Sequence, residues 1–130
     1  MILLDSHVPA WLAFEPGRLS RDARIAIEEA RAAGAGLAIC DITLLELAMA
    51  ARRNRLQVGN SIESFLSDIA SRFMVLPITA QACACAVALP ASYPNDPADR
   101  IIGATAIVEG LSLITADRAI SRSGAVRTIW

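Results

Sequence analysis

Four carboxylates stand at matching points of this sequence, each beside an apolar run. Asp5 follows Ile2 to Leu4, Glu46 lies in a segment after Leu37 to Cys40, Asp99 precedes the run from Ile101 to Val108, and Asp117 follows Leu111 to Thr115. Crowding four acids into a partly dry cleft is unfavourable, because each raises the cost of ionising the next. A divalent cation reverses that balance. Mg²⁺ and Mn²⁺ prefer oxygen ligands and keep several waters, so a few carboxylates hold one or two such ions without enclosing them. An ion held this way activates water, orients a phosphodiester and stabilises the leaving oxygen.

Each acid also has a purely local reading. Asp5 can simply end a strand at the surface. Glu46 is the third helical residue if Thr43 is the cap, a T-x-x-E capping box that needs no metal. Asp99 lies three residues after Asp96 and complements the helix dipole, while Asp117 can cap a short turn beginning at Arg118. Asp96 reads first as an N-cap and second as a supporting contact to the ion. Asp41 belongs to a strand-to-helix turn.

Other polar residues are candidates for support. His7, the sole histidine, either contacts phosphate or a water on the ion, or is a partly exposed structural side chain. Ser6 is a plausible N-cap beside it. Thr115 is either an ordinary β-branched strand residue or orients Asp117 or a water, and Arg100 either neutralises a carboxylate, approaches phosphate or is simply solvated. Arg52, Arg53 and Arg55 form a basic cluster that reads first as a solvated helix end favoured by the dipole and second as a guanidinium fork for RNA phosphates.

The elements that must position these residues alternate between strand and helix. Ile2 to Leu4 is a three-residue strand at the N-terminus, which is stable only inside a parallel sheet covered on both faces. A helix follows from His7 to Phe14, and another from Arg21 to Ala33 capped by Ser20, with Ala23, Ile27 and Ala30 as its apolar stripe. Leu37 to Cys40 is the second strand, followed by a helix to about Arg53. Ser61 to Ala70 reads as an amphipathic helix with Ile62, Phe65, Leu66 and Ile69 on one side, and Phe73 to Leu76 as the third strand. Thr79 starts an alanine-rich helix reaching Leu89. Asn95 or Asp96 caps the next, Pro97 fits its first turn, and Gly110 ends it. Leu111 to Thr115 and Val126 to Trp130 are the last strands, with one helical turn at Arg118 to Ile120 between them. This order gives an α/β fold with a mainly parallel sheet flanked by helices. In such sheets ligands bind beyond the carboxyl ends of the strands.

Composition sets the outer bounds. The 130 residues make one domain, 1–130, with 55% apolar residues and few aromatics. No apolar run is long enough for a membrane span, and MILLDSHVPAW lacks the basic start of a signal peptide, so a cytoplasmic protein is expected. Net charge is −1, which neither announces nor excludes a nucleic-acid partner. Cys40, Cys83 and Cys85 have poor zinc spacing and read as small buried side chains.

Taken together, MILLDSH at 1–7, ITLLELAM at 42–49, NDPADRIIGATA at 95–106 and GLSLITADRAI at 110–120 resemble the PIN-domain ribonucleases, specifically the VapC-type toxins of prokaryotic type II toxin–antitoxin pairs. Their order and spacing span essentially the whole chain. The resemblance implies a PIN-like three-layer fold and Mg²⁺- or Mn²⁺-dependent cleavage of RNA. It matches Asp5, Glu46, Asp99 and Asp117 to the family's acids, with the ion placed mainly by Asp5 and Asp99. It further implies homodimerisation and inhibition by a cognate antitoxin lying across the active groove. Ser6 stands where threonine is common, which keeps the hydroxyl, and the turn at Cys40 to Thr43 is more acidic than usual.

The leading expectation is thus an endoribonuclease that hydrolyses RNA phosphodiester bonds with metal-activated water. A non-cleaving RNA- or protein-binding regulatory module retaining the acidic cleft is the alternative, and a DNA or flap nuclease is a third. A haloacid-dehalogenase-like phosphatase is discounted because Ser6-His7, rather than a second aspartate, follows Asp5. Transfer, ribosomal and messenger RNA are all compatible with this chemistry, since RNA specificity comes from shape and unstacked bases.

Overall fold

The strand β1 (Ile2–Leu4) is three residues long and holds because both its edges and both its faces are covered. It pairs in parallel with β2 (Leu37–Cys40) on one side and with β4 (Leu113–Ile114) on the other, and Leu3 and Leu4 are fully buried. The structure, a computed structural model, describes residues 1–53, 58–59 and 61–130. With β3 (Met74–Leu76) beside β2 and β5 (Thr128–Ile129) beside β4, the sheet has five strands in the order β3-β2-β1-β4-β5. Every pairing is parallel.

Side chains of a strand alternate between faces, and the core divides accordingly. Leu4, Ile39 and Ile114 face a layer containing α1 (His7–Phe14), α2 (Arg21–Ala32), α3 (Asp41–Arg52) and α4 (Ile62–Arg72), where they meet Val8, Ile27, Leu47 and Ile69. Leu3, Ala38, Cys40 and Leu113 face the other layer, meeting the loop residue Tyr93, Ile102 and Ala106 on α6 (Pro97–Glu109), and Ile120 on α7 (Arg118–Ser123). Against α6 packs α5 (Ala80–Ala88). The result is the expected three-layer α/β architecture. Strand order reverses on either side of β1, which makes the crevice beyond β1 and β4 the topological switch point where such sheets bind ligands.

Local chemistry sets most helix starts as expected. Ser20, Ser61 and Thr79 each accept a hydrogen bond from the backbone N–H three residues on, at 3.0 to 3.1 Å. Asp96 does the same for Asp99 at 3.1 Å, Pro97 occupies the first position of α6, and Gly110 closes it with φ 66°. Gly103 is required for a different reason. A Cβ there would overlap the phenol of the fully buried Tyr93, which lies directly against α6.

Two expected caps are absent, and each absence moves a site residue. Ser6 has helical backbone angles, φ −57° and ψ −33°, and its side chain makes no cap bond. The helix α3 begins at Asp41 rather than after Thr43, so Thr43 is fully buried inside it and the T-x-x-E capping box does not form. Cys40 is buried and its thiol is pushed up to about 11 by burial, but Cys83 is exposed, against the expectation that all three thiols are core residues. The last strands are shorter than their apolar runs, since β4 and β5 are in register over two residues each, Leu113 with Thr128 and Ile114 with Ile129.

Candidate active site

Four elements deliver carboxylates to the switch-point crevice. Asp5 follows β1 and is buried; its Oδ1 accepts from the Ser6 backbone N–H at 2.8 Å and its Oδ2 from the Thr115 hydroxyl at 2.6 Å. The same Thr115 Oγ1 accepts from the backbone N–H of Asp117 at 3.1 Å, tying the ends of β1 and β4 together. Asp117 caps α7 through Oδ1, which accepts from Ala119 at 2.8 Å and Ile120 at 3.3 Å. Asp5, Asp99 and Asp117 line one cavity of about 280 Å³, together with His7, Val8, Trp11 and Ala116.

Glu46 enters from the second turn of α3. The Ser6 hydroxyl, free of capping duty, donates to Glu46 Oε1 at 3.3 Å and lies 3.3 Å from Thr43 Oγ1. One carboxylate oxygen each of Glu46, Asp96 and Asp99 lies within 4.8 Å of the other two. Asp5 and Asp117 stand outside that tight triad and flank Asp99 from the cavity side, so Asp99 is common to both groupings. Asp96 therefore combines its helix cap with a place at the rim of the acidic cluster, a combination that sequence reading ranked second.

The electrostatics follow from that crowding. Burial, and then the carboxylates of Asp5, Asp96, Asp117 and Glu46, raise Asp99 from 3.8 to about 7. The phenol of Tyr93 is pushed up as well, by burial first and by Asp5, Asp99 and Asp117 next. Among the described residues the one ion pair is Arg18–Glu15, so no side-chain cation is paired with any of these acids. The tight triad offers carboxylate oxygens alone and is short of positive charge, which fits a hard divalent cation of the Mg²⁺ or Mn²⁺ class; no thiolate joins it, and the single imidazole, His7, lines the adjoining cavity instead.

Comparison with known proteins decides the family. The PIN domain pattern matches residues 2–125. The chain belongs to the PIN domain family. A relative in Mycobacterium tuberculosis, Ribonuclease VapC22, is 44% identical over 131 residues, covering 99% of this chain and 98% of that one. A toxin–antitoxin complex from Klebsiella pneumoniae contains a chain 27% identical, with a TM-score of 0.61 and coverage of 90% of this chain and 87% of that one. VapBC2 from Rickettsia felis, solved with a DNA fragment from its promoter, shares the fold with a TM-score of 0.72 at 18% identity, over 98% and 97% of the two chains.

The remaining polar candidates of this PIN domain divide sharply. Ser6 and Thr115 touch the acids and fix their side chains, as described. His7 is exposed at the mouth of the cleft and stacks on Trp11, with centroids 5.7 Å apart and planes 20° apart. Arg100 is turned away: its guanidinium donates to the carbonyls of Ala86, Leu89, Pro90 and Tyr93 and to Asn95 Oδ1, at 3.1 to 3.4 Å. It ties α6 to the end of α5 and to the loop between them instead of neutralising an acid or reaching phosphate. Arg53 lines a neighbouring groove, Arg52 is exposed at the end of α3, and Arg55 lies outside the described residues. Asp41 accepts from the Ile78 backbone N–H at 3.2 Å and joins the start of α3 to the segment after β3.

Sequence reading passed over Tyr93, whose hydroxyl donates to the Asp99 carbonyl at 3.0 Å. The signal was present: a lone tyrosine six residues before Asp99 in a proline-punctuated loop. Trp11 was passed over too, although it lies one helical turn after His7.

Proposed function

We propose that this PIN domain, acting as one domain over residues 1–130, is a Mg²⁺- or Mn²⁺-dependent endoribonuclease and the toxin of a toxin–antitoxin pair. The observation that carries the reading is the convergence of Asp5, Glu46, Asp99 and Asp117, from four separate elements, on the switch-point crevice. The ribonuclease name of the relative 44% identical over nearly the whole chain supports the reaction, and the similar chain from a toxin–antitoxin complex supports the partner. An antitoxin protein, a homodimeric state and a cytoplasmic location complete the reading; among the described residues no helix is long and apolar enough to cross a membrane.

Asp5, Glu46, Asp99 and Asp117 would hold the ion, with Asp96 at the rim. When bound, the ion supplies an activated water and offsets the charge of the phosphodiester. The protein's own part is positional. Ser6 N–H and the Thr115 hydroxyl fix the plane of the Asp5 carboxylate, the Ser6 hydroxyl holds Glu46, and Tyr93 anchors the backbone that carries Asp99.

The test is cleavage by purified protein of mixed RNA pools, with DNA as competitor, across Mg²⁺ and Mn²⁺ titrations. Cutting of RNA that stops on chelation is expected. Asp5→Asn and Asp99→Asn should each lose more than the roughly 10- to 100-fold carried by outer partners of metal ligands, with unchanged circular dichroism. Undiminished cutting by both variants would sink the assignment. Stable RNA binding without products under every condition would favour a non-cleaving regulatory module.

A further inference from the structure

A second cavity opens beside the acidic cleft, and two rings belong to both. The groove, of about 360 Å³, runs between α1 and the α3 side and shares His7 and Trp11 with the cleft that holds Asp5, Asp99 and Asp117. Residues four apart on a helix lie over one another, which is why the two rings stack. Phe14, 48% exposed, continues this aromatic wall away from the acids. The Arg18 guanidinium lies over the Trp11 ring, 4.7 Å from its centroid, and Trp130 packs on the same ring at 5.7 Å, so the more open ring of the pair is the exposed His7; Arg53 lines the same groove. Glu46 and Ser6 line it too, so the groove leads directly into the acidic centre.

Aromatic faces with guanidinium groups alongside suit single-stranded nucleic acid, whose bases stack on rings while its phosphates take the arginine forks. A duplex keeps its bases stacked on one another and offers none to such a wall. The Arg18–Glu15 pair, 3.3 Å long, is more than half exposed on both sides, so exchanging Glu15 for a phosphate costs little. We propose that this groove holds an unstacked base of single-stranded RNA on a platform formed by His7 and Trp11, with Arg18 and Arg53 on the adjoining phosphates. The inference rests on the endoribonuclease reading and specifies how its substrate is held. Because the platform borders both cavities, a base seated there brings its neighbouring phosphodiester to the acids.

The test uses the Asp99→Asn protein, so that RNA stays intact, with Trp130→Phe leaving Trp11 as the sole tryptophan while keeping an aromatic ring where Trp130 packs against it, and the protein that retains Trp130 as the binding control. Single-stranded polyadenylate and polyuridylate should each quench Trp11 fluorescence, and a matched duplex should not. His7→Ala and Trp11→Ala should each weaken polyadenylate binding by about 5- to 150-fold, the range of one lost base stack, and Trp11→Phe should restore most of it. Placing an abasic site in a short RNA should cost nothing further in Trp11→Ala, whereas independent, multiplying penalties would overturn the platform. No fluorescence change with any RNA would also overturn it and leave the groove to a polypeptide segment. The two readings separate cleanly: wild-type cleavage with an unchanged KM in His7→Ala and Trp11→Ala defeats the platform alone. Quenching and the abasic cycle without any wild-type cleavage defeat the ribonuclease alone.

Discussion

Asp99 carries the cost of the acidic cluster more than any other residue. Its ordinary value is 3.8 and its folded value about 7, so between those values the folded chain keeps a proton that the unfolded chain has released. The sign follows from linkage: the stability of the metal-free protein falls as pH rises from about 4 to about 7 and levels above that, where both states are ionised. Chemical unfolding in chelator across this window should show the decline, and Asp99→Asn should flatten it. Because proton and cation compete for the same oxygens, added Mg²⁺ or Mn²⁺ should raise the melting temperature more on the alkaline side than on the acid side. Equal metal stabilisation at both would contradict the competition. At this scale the acids were legible in the sequence, because strand ends and first helical turns are recognisable positions. The direction of Arg100 was not, since a long flexible side chain is aimed by carbonyls that only the folded loop gathers.

Among the elements, α6 does the most positioning, and its two ends and middle are separable by mutation. Asp96→Ser keeps an N-cap oxygen but removes a carboxylate from the rim, whereas Asp96→Ala removes both. The alanine variant should lose about 1 kcal/mol of stability and the serine variant much less. If Asp96 contributes to the cation, both should weaken metal binding by a similar factor in calorimetric titration; normal binding in Asp96→Ser would confine the residue to capping. In the middle of the helix, Gly103→Ala sets a methyl group against the Tyr93 phenol. Overpacking of this kind costs about 1–3 kcal/mol, readable as a lowered denaturant midpoint. The shifted Tyr93 would also loosen its bond to the Asp99 carbonyl and lower activity. Helix limits set by local caps and glycine, such as Ser20, Thr79 and Gly110, could be read from the sequence. The start of α3 could not, because Thr43 as a cap and Thr43 as a buried helical residue share the same local pattern, and burial against the core decided between them.

For the whole molecule, the short strands gain their meaning from the order in which they pair. Ile2 to Leu4 could be recognised as an interior parallel strand, but nothing in a linear sequence states that β1 lies between β2 and β4. That arrangement places the reversal of strand order at Asp5, and brings Asp117 from more than a hundred residues away through the Thr115 bond. The alternating layers were legible from apolar periodicity. The groove along α1 was not, since it exists only between packed helices. The converged acids are proposed to cut RNA in the cell. Mapping RNA ends after brief expression of the wild-type chain and of Asp99→Asn tests this most directly: discrete new ends confined to the wild type are predicted, and identical end profiles from the two, with both proteins folded and equally abundant, would contradict it.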